Sequence, residues 1–432
     1  MKLYSTNNKS KTVNLSSAVL QSLPEDNGLY MPLEISPLPS SFFQKLPSLS
    51  FQEISYLVAK QLMGDSIPNH TLKSIIDDAI NFKAPLITVD ENIHILELFH
   101  GPTLAFKDFG ARFMSRLMNF FLEKSGKKVT VLVATSGDTG GAVASGFFNQ
   151  DNIDVVILYP KGKVSTLQEK QLTTWGHNIK ALEIDGNFDD CQQIVKSAFL
   201  DPELNNSINL SSANSINIAR LIPQSFYYFE GYKQLSHSQK NINFCIPSGN
   251  FGNLTAGLLA KNLGLPINQL IAATNINDVV PKYLKTGEFN PIEAHHTLSN
   301  AMDIGRPSNF NRIMDFYGST WNKVKKDIKG YSYNDQVTIN TIVEGNSKLG
   351  YVFDPHTAIG YTAAKEYNTQ FKEENTIVLS TAHPIKFKNE IQKYIDFSIP
   401  YPTTIQYTLD KQSDKKQLSN NYNDFKNYLL SK

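Results

Sequence analysis

Val129-Thr130-Val131-Leu132-Val133-Ala134-Thr135-Ser136-Gly137-Asp138-Thr139-Gly140-Gly141 passes from an apolar, β-branched run into a glycine-rich turn. The run reads as a short buried strand, and residues 142–149 continue it as a helix. The same order recurs downstream, where Ile242–Pro247 leads into Ser248-Gly249-Asn250-Phe251-Gly252-Asn253 and a helix over 254–263. Residues 93–98, 154–159, 179–184, 270–274 and 376–380 are further strand-like runs, and 164–175, 188–200 and 216–235 have helical patterning. Between 93–98 and 129–134 the spacing predicts a helix over 108–123, with Phe109, Phe113, Leu117 and Phe121 four residues apart and Gly126 at its end. Strands alternating with helices predict an α/β fold of wound, mostly parallel sheets flanked by helices. Ligands of such sheets bind beyond the carboxyl ends of the strands, where these glycine-rich turns lie.

Around this core the sequence divides into four stretches. Residues 1–92 read as a mostly helical N-terminal region, 93–275 as the α/β catalytic core, 276–370 as an insertion or third lobe broken by Pro281, Pro291, Pro307 and Pro355, and 371–432 as a closing strand and helix. The polar tail from about residue 407 is expected as a surface helix or a fraying end. The chain has 432 residues, 41% hydrophobic and 19% charged, enough for sizeable cores and more than one domain. A net charge of +1 gives no reason to expect nucleic acid or an acidic membrane. Cys191 and Cys245 have no metal-ligand spacing, and neither do the nine histidines. No metal, no signal peptide and no membrane span are expected, which leaves a cytoplasmic protein by elimination. Monomer and homodimer stay open.

Five segments carry chemistry. Lys107, in His100-Gly101-Pro102-Thr103-Leu104-Ala105-Phe106-Lys107-Asp108-Phe109-Gly110, sits in an apolar, turn-rich setting at a helix start. Desolvation lowers a lysine pKa, and a neutral amine attacks carbonyls, so the segment suits a Schiff-base lysine. The plain alternative is an exposed lysine. Ser248–Asn253 offers converging N–H groups and a helix N-terminus, a phosphate cradle without the lysine of a Walker loop. Thr135–Gly141 offers hydroxyls and amides for a carboxylate, although Asp138 fits poorly against an anion. Asn214, Ser215 and Arg220 suit a phosphate. Ser380-Thr381-Ala382-His383-Pro384 places a hydroxyl at a strand end, where it can meet a ring nitrogen. Each of the last four also reads as a helix cap or turn when taken alone.

Together with Gly186-Asn187-Phe188-Asp189-Asp190-Cys191 and Asp354-Pro355-His356-Thr357-Ala358, these motifs resemble, in kind and order, the threonine synthase family, in particular its longer microbial and fungal branch. These are pyridoxal-phosphate enzymes of the tryptophan-synthase-β fold type (fold type II). The resemblance spans nearly the whole chain. It implies two lobes flanking a pyridoxal 5′-phosphate, with Lys107 as the covalent anchor and proton shuttle. It implies Gly249, Asn250, Phe251, Gly252 and Asn253 on the cofactor phosphate and Thr381 at the pyridine nitrogen. It implies Ser136, Gly137, Asp138 and Thr139 on the substrate carboxylate, and Asn214, Ser215 and Arg220 on the substrate phosphate. The implied activity is a lyase reaction, O-phosphohomoserine and water giving L-threonine and phosphate, the last step of threonine biosynthesis. The alternatives are a phospho-lyase or dehydratase on the same fold, or a non-catalytic cofactor-binding protein. Which of Asp138, Asn187 and Asp189 approaches the cofactor ring is left open.

Overall fold

The computed structural model describes residues 1–431; Lys432, the end of the fourth stretch, lies outside them. The strands are β1 (Lys2–Ser5), β2 (Asn8–Asn14), β3 (Tyr30–Pro32), β4 (Leu86–Asp90), β5 (Ile93–Glu97), β6 (Val129–Ala134), β7 (Ile153–Pro160), β8 (Ile179–Asp185), β9 (Leu210–Ser212), β10 (Ile242–Pro247), β11 (Leu270–Thr274), β12 (Ile328–Ser332), β13 (Asn375–Ser380) and β14 (Lys415–Ser419). Two wound sheets face one another. One has the order β12-β11-β10-β13-β5-β4, parallel except for β4 against β5. The other has the order β14-β8-β7-β6-β9 and is parallel throughout.

The helix Lys107–Ser125 follows β5 in the first sheet and precedes β6 in the second, so it crosses from one lobe to the other. Phe109, Phe113 and Leu117 are wholly buried and Phe121 nearly so, which is the stripe the four-residue spacing requires. Gly126 ends the helix in the left-handed conformation (φ 63°). Burial on both faces explains why β6 and β10 read as unbroken apolar runs rather than alternating ones.

Two expectations change and two are refined. The mostly helical N-terminal region also carries a small antiparallel sheet of β1, β2 and β3. The helix expected over 216–235 is three pieces, Ile218–Leu221, a 3-10 turn Ile222–Ser225 and Phe226–Gln234. Pro223, without an N–H, breaks the ladder there. Residues 276–370 are not simply an insertion: β12 extends the six-stranded sheet. The helix Pro355–Gln370 lies so close over that sheet that a Cβ on Gly360 would meet Val378 at 2.8 Å and Pro247 at 2.9 Å. The tail does not fray either. β14 pairs with β8, and the helix Tyr422–Leu430 buries Phe425 and Leu429.

Candidate active site

A cavity of about 790 Å³ lies between the two sheets. Every candidate residue lines it except Gly137: Lys107, Ser136, Asp138, Thr139, Asn214, Ser215, Arg220, Gly249 to Asn253, and Thr381. Gly137 shapes the turn instead. Its φ is 134°, a conformation suited to glycine, and a Cβ there would stand 2.5 Å from the Gln168 side chain.

Lys107 is set by the backbone before it. The Phe106 N–H donates to the Thr381 carbonyl at 2.9 Å, and the His383 N–H donates to the Leu104 carbonyl at 3.0 Å. These bonds tie the start of the Lys107 helix to the end of β13 and bring Lys107 and Thr381 to one wall. Asp108, fully buried, accepts from the Thr103 N–H at 2.9 Å and the Thr103 hydroxyl at 2.6 Å, closing the turn. Burial lowers the Lys107 pKa; nearby Asp138 opposes this, and Lys386 and Arg220 reinforce it. The Lys107 stem keeps some exposed surface because it borders the cavity, but the protein surrounds its amine.

The turn after β10 opens the helix Gly252–Asn262, with Phe251 in the left-handed conformation (φ 60°). The first N–H groups of a helix lack intrahelical acceptors, so this end presents donors to the cavity. Asn253 braces the turn through the Ser248 hydroxyl (3.0 Å) and the Pro247 carbonyl (2.7 Å). At Gly249 a Cβ would lie 2.6 Å from the Ala301 carbonyl, so the cradle excludes any side chain there. After β6, the Thr135 hydroxyl accepts from the N–H groups of Gly137 (3.0 Å) and Gly140 (2.9 Å) and shapes the other anion-facing turn.

Arg220 is buried, and its Nη1 donates to the Ala213 carbonyl at 2.6 Å. Its Nε and the Asn214 Oδ1 are buried without a hydrogen-bond partner. Burial pulls the Arg220 pKa down to about 10, so the guanidinium stays charged at neutral pH. An incomplete polar set beside a charge is what an anion-binding wall presents when its ligand is not counted.

Sequence reasoning missed Lys386, two residues beyond the His383-Pro384 string. Its ammonium, wholly buried, meets Asp138 Oδ1 at 2.9 Å and donates to the Thr103 carbonyl and Gln171 Oε1, each at 2.8 Å. Asp138 also accepts from Gln168 Nε2 at 2.9 Å. Burial works against the Asp138 charge, but Lys386, Lys107 and Gln168 outweigh it and hold the carboxyl well below its usual range. The Asp138 side chain is therefore an acceptor already engaged; only its main-chain N–H can serve an anion. Of the three acidic or amide groups left open, Asp138 stands beside Lys107. Asn187 caps the helix Phe188–Leu200 and, like Asp189, lines the same cavity. His356 was quoted in a motif without a role. Its Nδ1 pairs with Asp354 at 2.8 Å, and its Nε2 accepts from the Ala301 N–H at 3.3 Å, which steadies the chain over Gly249.

Lys386→Met is expected to lower stability at neutral pH by about 3–5 kcal/mol, because Asp138 becomes an unpaired buried charge. In the wild type the depressed Asp138 pKa contributes stability above the ordinary carboxylate pKa of about 3.9, lost as pH falls through the folded value. In the variant only Lys107 and Gln168 still oppose burial, so the Asp138 pKa lies above its wild-type folded value. The folded variant takes up a proton at higher pH than the folded wild type, and the stability deficit shrinks on acidification. Melting temperatures of both proteins from pH 8 to pH 5 check this; a variant deficit that does not shrink toward pH 5 contradicts it.

Among the described residues no helix is long and apolar enough to cross a membrane. The sequence model described as pyridoxal-phosphate dependent enzyme matches residues 82–381. Models described as threonine synthase N terminus and threonine synthase C-terminal match residues 2–80 and 357–429. A threonine synthase of Buchnera aphidicola subsp. Acyrthosiphon pisum is 45% identical, with all of both chains covered. The crystal structure of Escherichia coli threonine synthase superposes with a TM-score of 0.93 at 40% identity over all of both chains. A pyridoxal-phosphate-bound threonine synthase from Brucella melitensis gives 0.93 at 35% identity, covering 100% of this chain and 99% of that one.

Proposed function

The chain belongs to the threonine synthase family, lyases that depend on pyridoxal 5′-phosphate, and on that premise we propose that it converts O-phosphohomoserine and water to L-threonine and phosphate in the cytoplasm. The observation that carries the substrate is a pair of anion-suited walls facing one cavity, with Lys107 on its rim. One wall is the Gly249–Asn253 turn, closed to any side chain at Gly249 and fit for the cofactor phosphate. The other is Asn214, Ser215 and Arg220, with buried polar atoms still lacking partners, fit for the substrate phosphate. An enzyme whose substrate carries no phosphate has no use for the second wall.

When bound, the cofactor supplies the electron sink that lets the substrate lose protons at its α- and β-carbons and phosphate at its γ-carbon. The protein does the rest. Lys107 would anchor the cofactor, and its amine, whose pKa burial lowers, would move protons to and from the substrate. Thr381, a neutral hydroxyl on the cavity wall, would meet the pyridine nitrogen of the cofactor and would leave it less firmly protonated than a carboxylate would. Main-chain N–H groups of Ser136, Asp138 and Thr139, at the start of the helix Asp138–Phe147, would hold the substrate carboxylate. Arg220, in a dry pocket, stabilises the leaving phosphate. Enclosure between the two sheets limits stray water, and the water that adds at the β-carbon restores the atom balance of threonine.

The deciding experiment incubates the purified protein with pyridoxal phosphate and O-phosphohomoserine and quantifies products. Threonine and phosphate in equal amounts are expected. Ammonia and a keto acid in place of threonine move the chain to a phospho-lyase. No phosphate release overturns the substrate reading.

A further inference from the structure

Ser215 receives two hydrogen bonds from residues whose own orientation the fold dictates. Asn250 Nδ2 donates to Ser215 Oγ at 2.6 Å and Asn309 Nδ2 donates at 3.3 Å. An amide can usually be turned end for end, but neither of these can. Asn250 Oδ1 accepts from the Ser308 main-chain N–H at 2.5 Å, and Asn309 Oδ1 accepts from Arg312 Nη1 at 2.7 Å. A peptide N–H and a guanidinium are donors only. Each therefore faces an amide oxygen, and each amide must turn its NH₂ toward Ser215.

A serine hydroxyl has two lone pairs and one proton. Both lone pairs of Ser215 are taken. Among the described residues its proton has no acceptor in the protein, and Ser215 lies on the cavity wall beside Asn214 and Arg220. The arrangement is built rigidly. Asn309 and Arg312 are wholly buried. Among the described residues Arg312 has no carboxylate partner; it is held by the carbonyls of Tyr30 (3.2 Å), Ser215 (3.2 Å) and Ile216 (2.6 Å). Burial pulls its pKa down to about 9, still above neutrality, so it remains a donor. Gly252 packs beside the cluster, at a distance where even a Cβ would make ordinary van der Waals contact with Ser215 Cβ (3.4 Å) and Asn309 Nδ2 (3.5 Å).

We propose that Asn309 and Arg312 are positioning residues that fix the polarity of the phosphate wall: the Arg312–Asn309–Ser215 chain forces the Ser215 hydroxyl to donate into the cavity, toward a phosphate monoester dianion. Neither residue touches the ligand. Both act through Ser215, and Arg312 brings the N-terminal sheet, through Tyr30, into the specificity of the site. The proposal rests on the reading of Asn214, Ser215 and Arg220 as the substrate-phosphate wall.

The test uses Asn309→Asp, which keeps the shape and reverses the polarity. A carboxylate accepts from both Arg312 and Ser215, so the hydroxyl proton turns away from the cavity. With the holoenzyme, the inhibition constant of inorganic phosphate and the KM for O-phosphohomoserine are expected to rise roughly tenfold or more, while the cofactor spectrum is unchanged. Asn309→Ala, which removes one donor without adding an acceptor, is expected to have the smaller effect. An added negative charge alone would also weaken phosphate, so the Asp change is repeated in a Ser215→Ala background, where its effect is expected to vanish. An effect that persists there overturns the proposal, as does an Asp variant that binds phosphate like the wild type. If Asn309→Asp does not fold, Asn309→Ala and Ser215→Ala, singly and combined, carry the test: non-additive weakening of phosphate inhibition is expected, and additive effects overturn the proposal. A wild-type holoenzyme that neither uses O-phosphohomoserine nor is inhibited by phosphate removes the phosphate reading itself, before any variant is made.

Discussion

Lys107→Ala is expected to lower turnover by about 10³-fold or more and to abolish the visible absorbance of the lysine-linked cofactor. Two proposed roles are lost together, anchoring the cofactor and shuttling protons. The surroundings suit the second role, because burial and the cations Lys386 and Arg220 favour the neutral amine while Asp138 moderates them. The geometry suits the first, because the Leu104 to Phe106 backbone is bonded to residues 381–383 and places Lys107 on the same wall as Thr381. The check is a spectrum and a product assay on the variant, before and after dialysis. Lys107→Arg, which keeps charge but cannot form the link, should behave like the alanine variant. A variant that keeps the wild-type spectrum and turnover takes Lys107 out of the chemistry.

Arg220→Ala is expected to reduce kcat/KM for O-phosphohomoserine by roughly 10²–10³-fold, the loss typical of one strong charge-stabilising donor in a dry site. The cofactor should stay bound with its spectrum little changed, because Arg220 lies on the proposed substrate-phosphate wall and not in the Gly249–Asn253 turn. Inhibition by inorganic phosphate should weaken in parallel. Arg220→Lys is not expected to restore activity. The guanidinium reaches its place against Gly110, whose Cβ, if present, would lie 2.7 Å from Arg220 Nε, and a lysine offers neither the fork nor the planarity that fits that slot. Unchanged kinetic constants in Arg220→Ala would remove it from the substrate site.

What the sequence discloses and what it hides divide along range. The strand, turn and helix order around Thr135–Gly141 and Ser248–Asn253 is written in neighbouring residues, so it could be read directly, and with it the α/β class and the strand-end location of the site. The Lys107 segment is local in the same way. β9, β12 and β14 are different: Leu210–Ser212, Ile328–Ser332 and Lys415–Ser419 are short or polar, and only their partners make them strands. Lys415 in β14 looks like surface charge until it is seen bonded to Glu183 at 2.8 Å. The same holds for the supporting side chains. Lys386 reaches Gln171 across 215 positions, and Arg312 reaches Tyr30 across 282. No pattern in one segment could announce those pairings. Their one local signal is a cation within an apolar run, as in Ile385-Lys386-Phe387, which asks for a buried partner.

β14 covers the outer edge of β8, and its Lys415 reaches Glu183 of β8 across 232 positions. During synthesis that edge therefore stands bare after the residues of both proposed anion walls have emerged, and a bare edge invites pairing with other chains. β14 works as a time-delayed seal. Its lysines discourage pairing with other chains, and Lys415 then meets Glu169 and Glu183 beside β8.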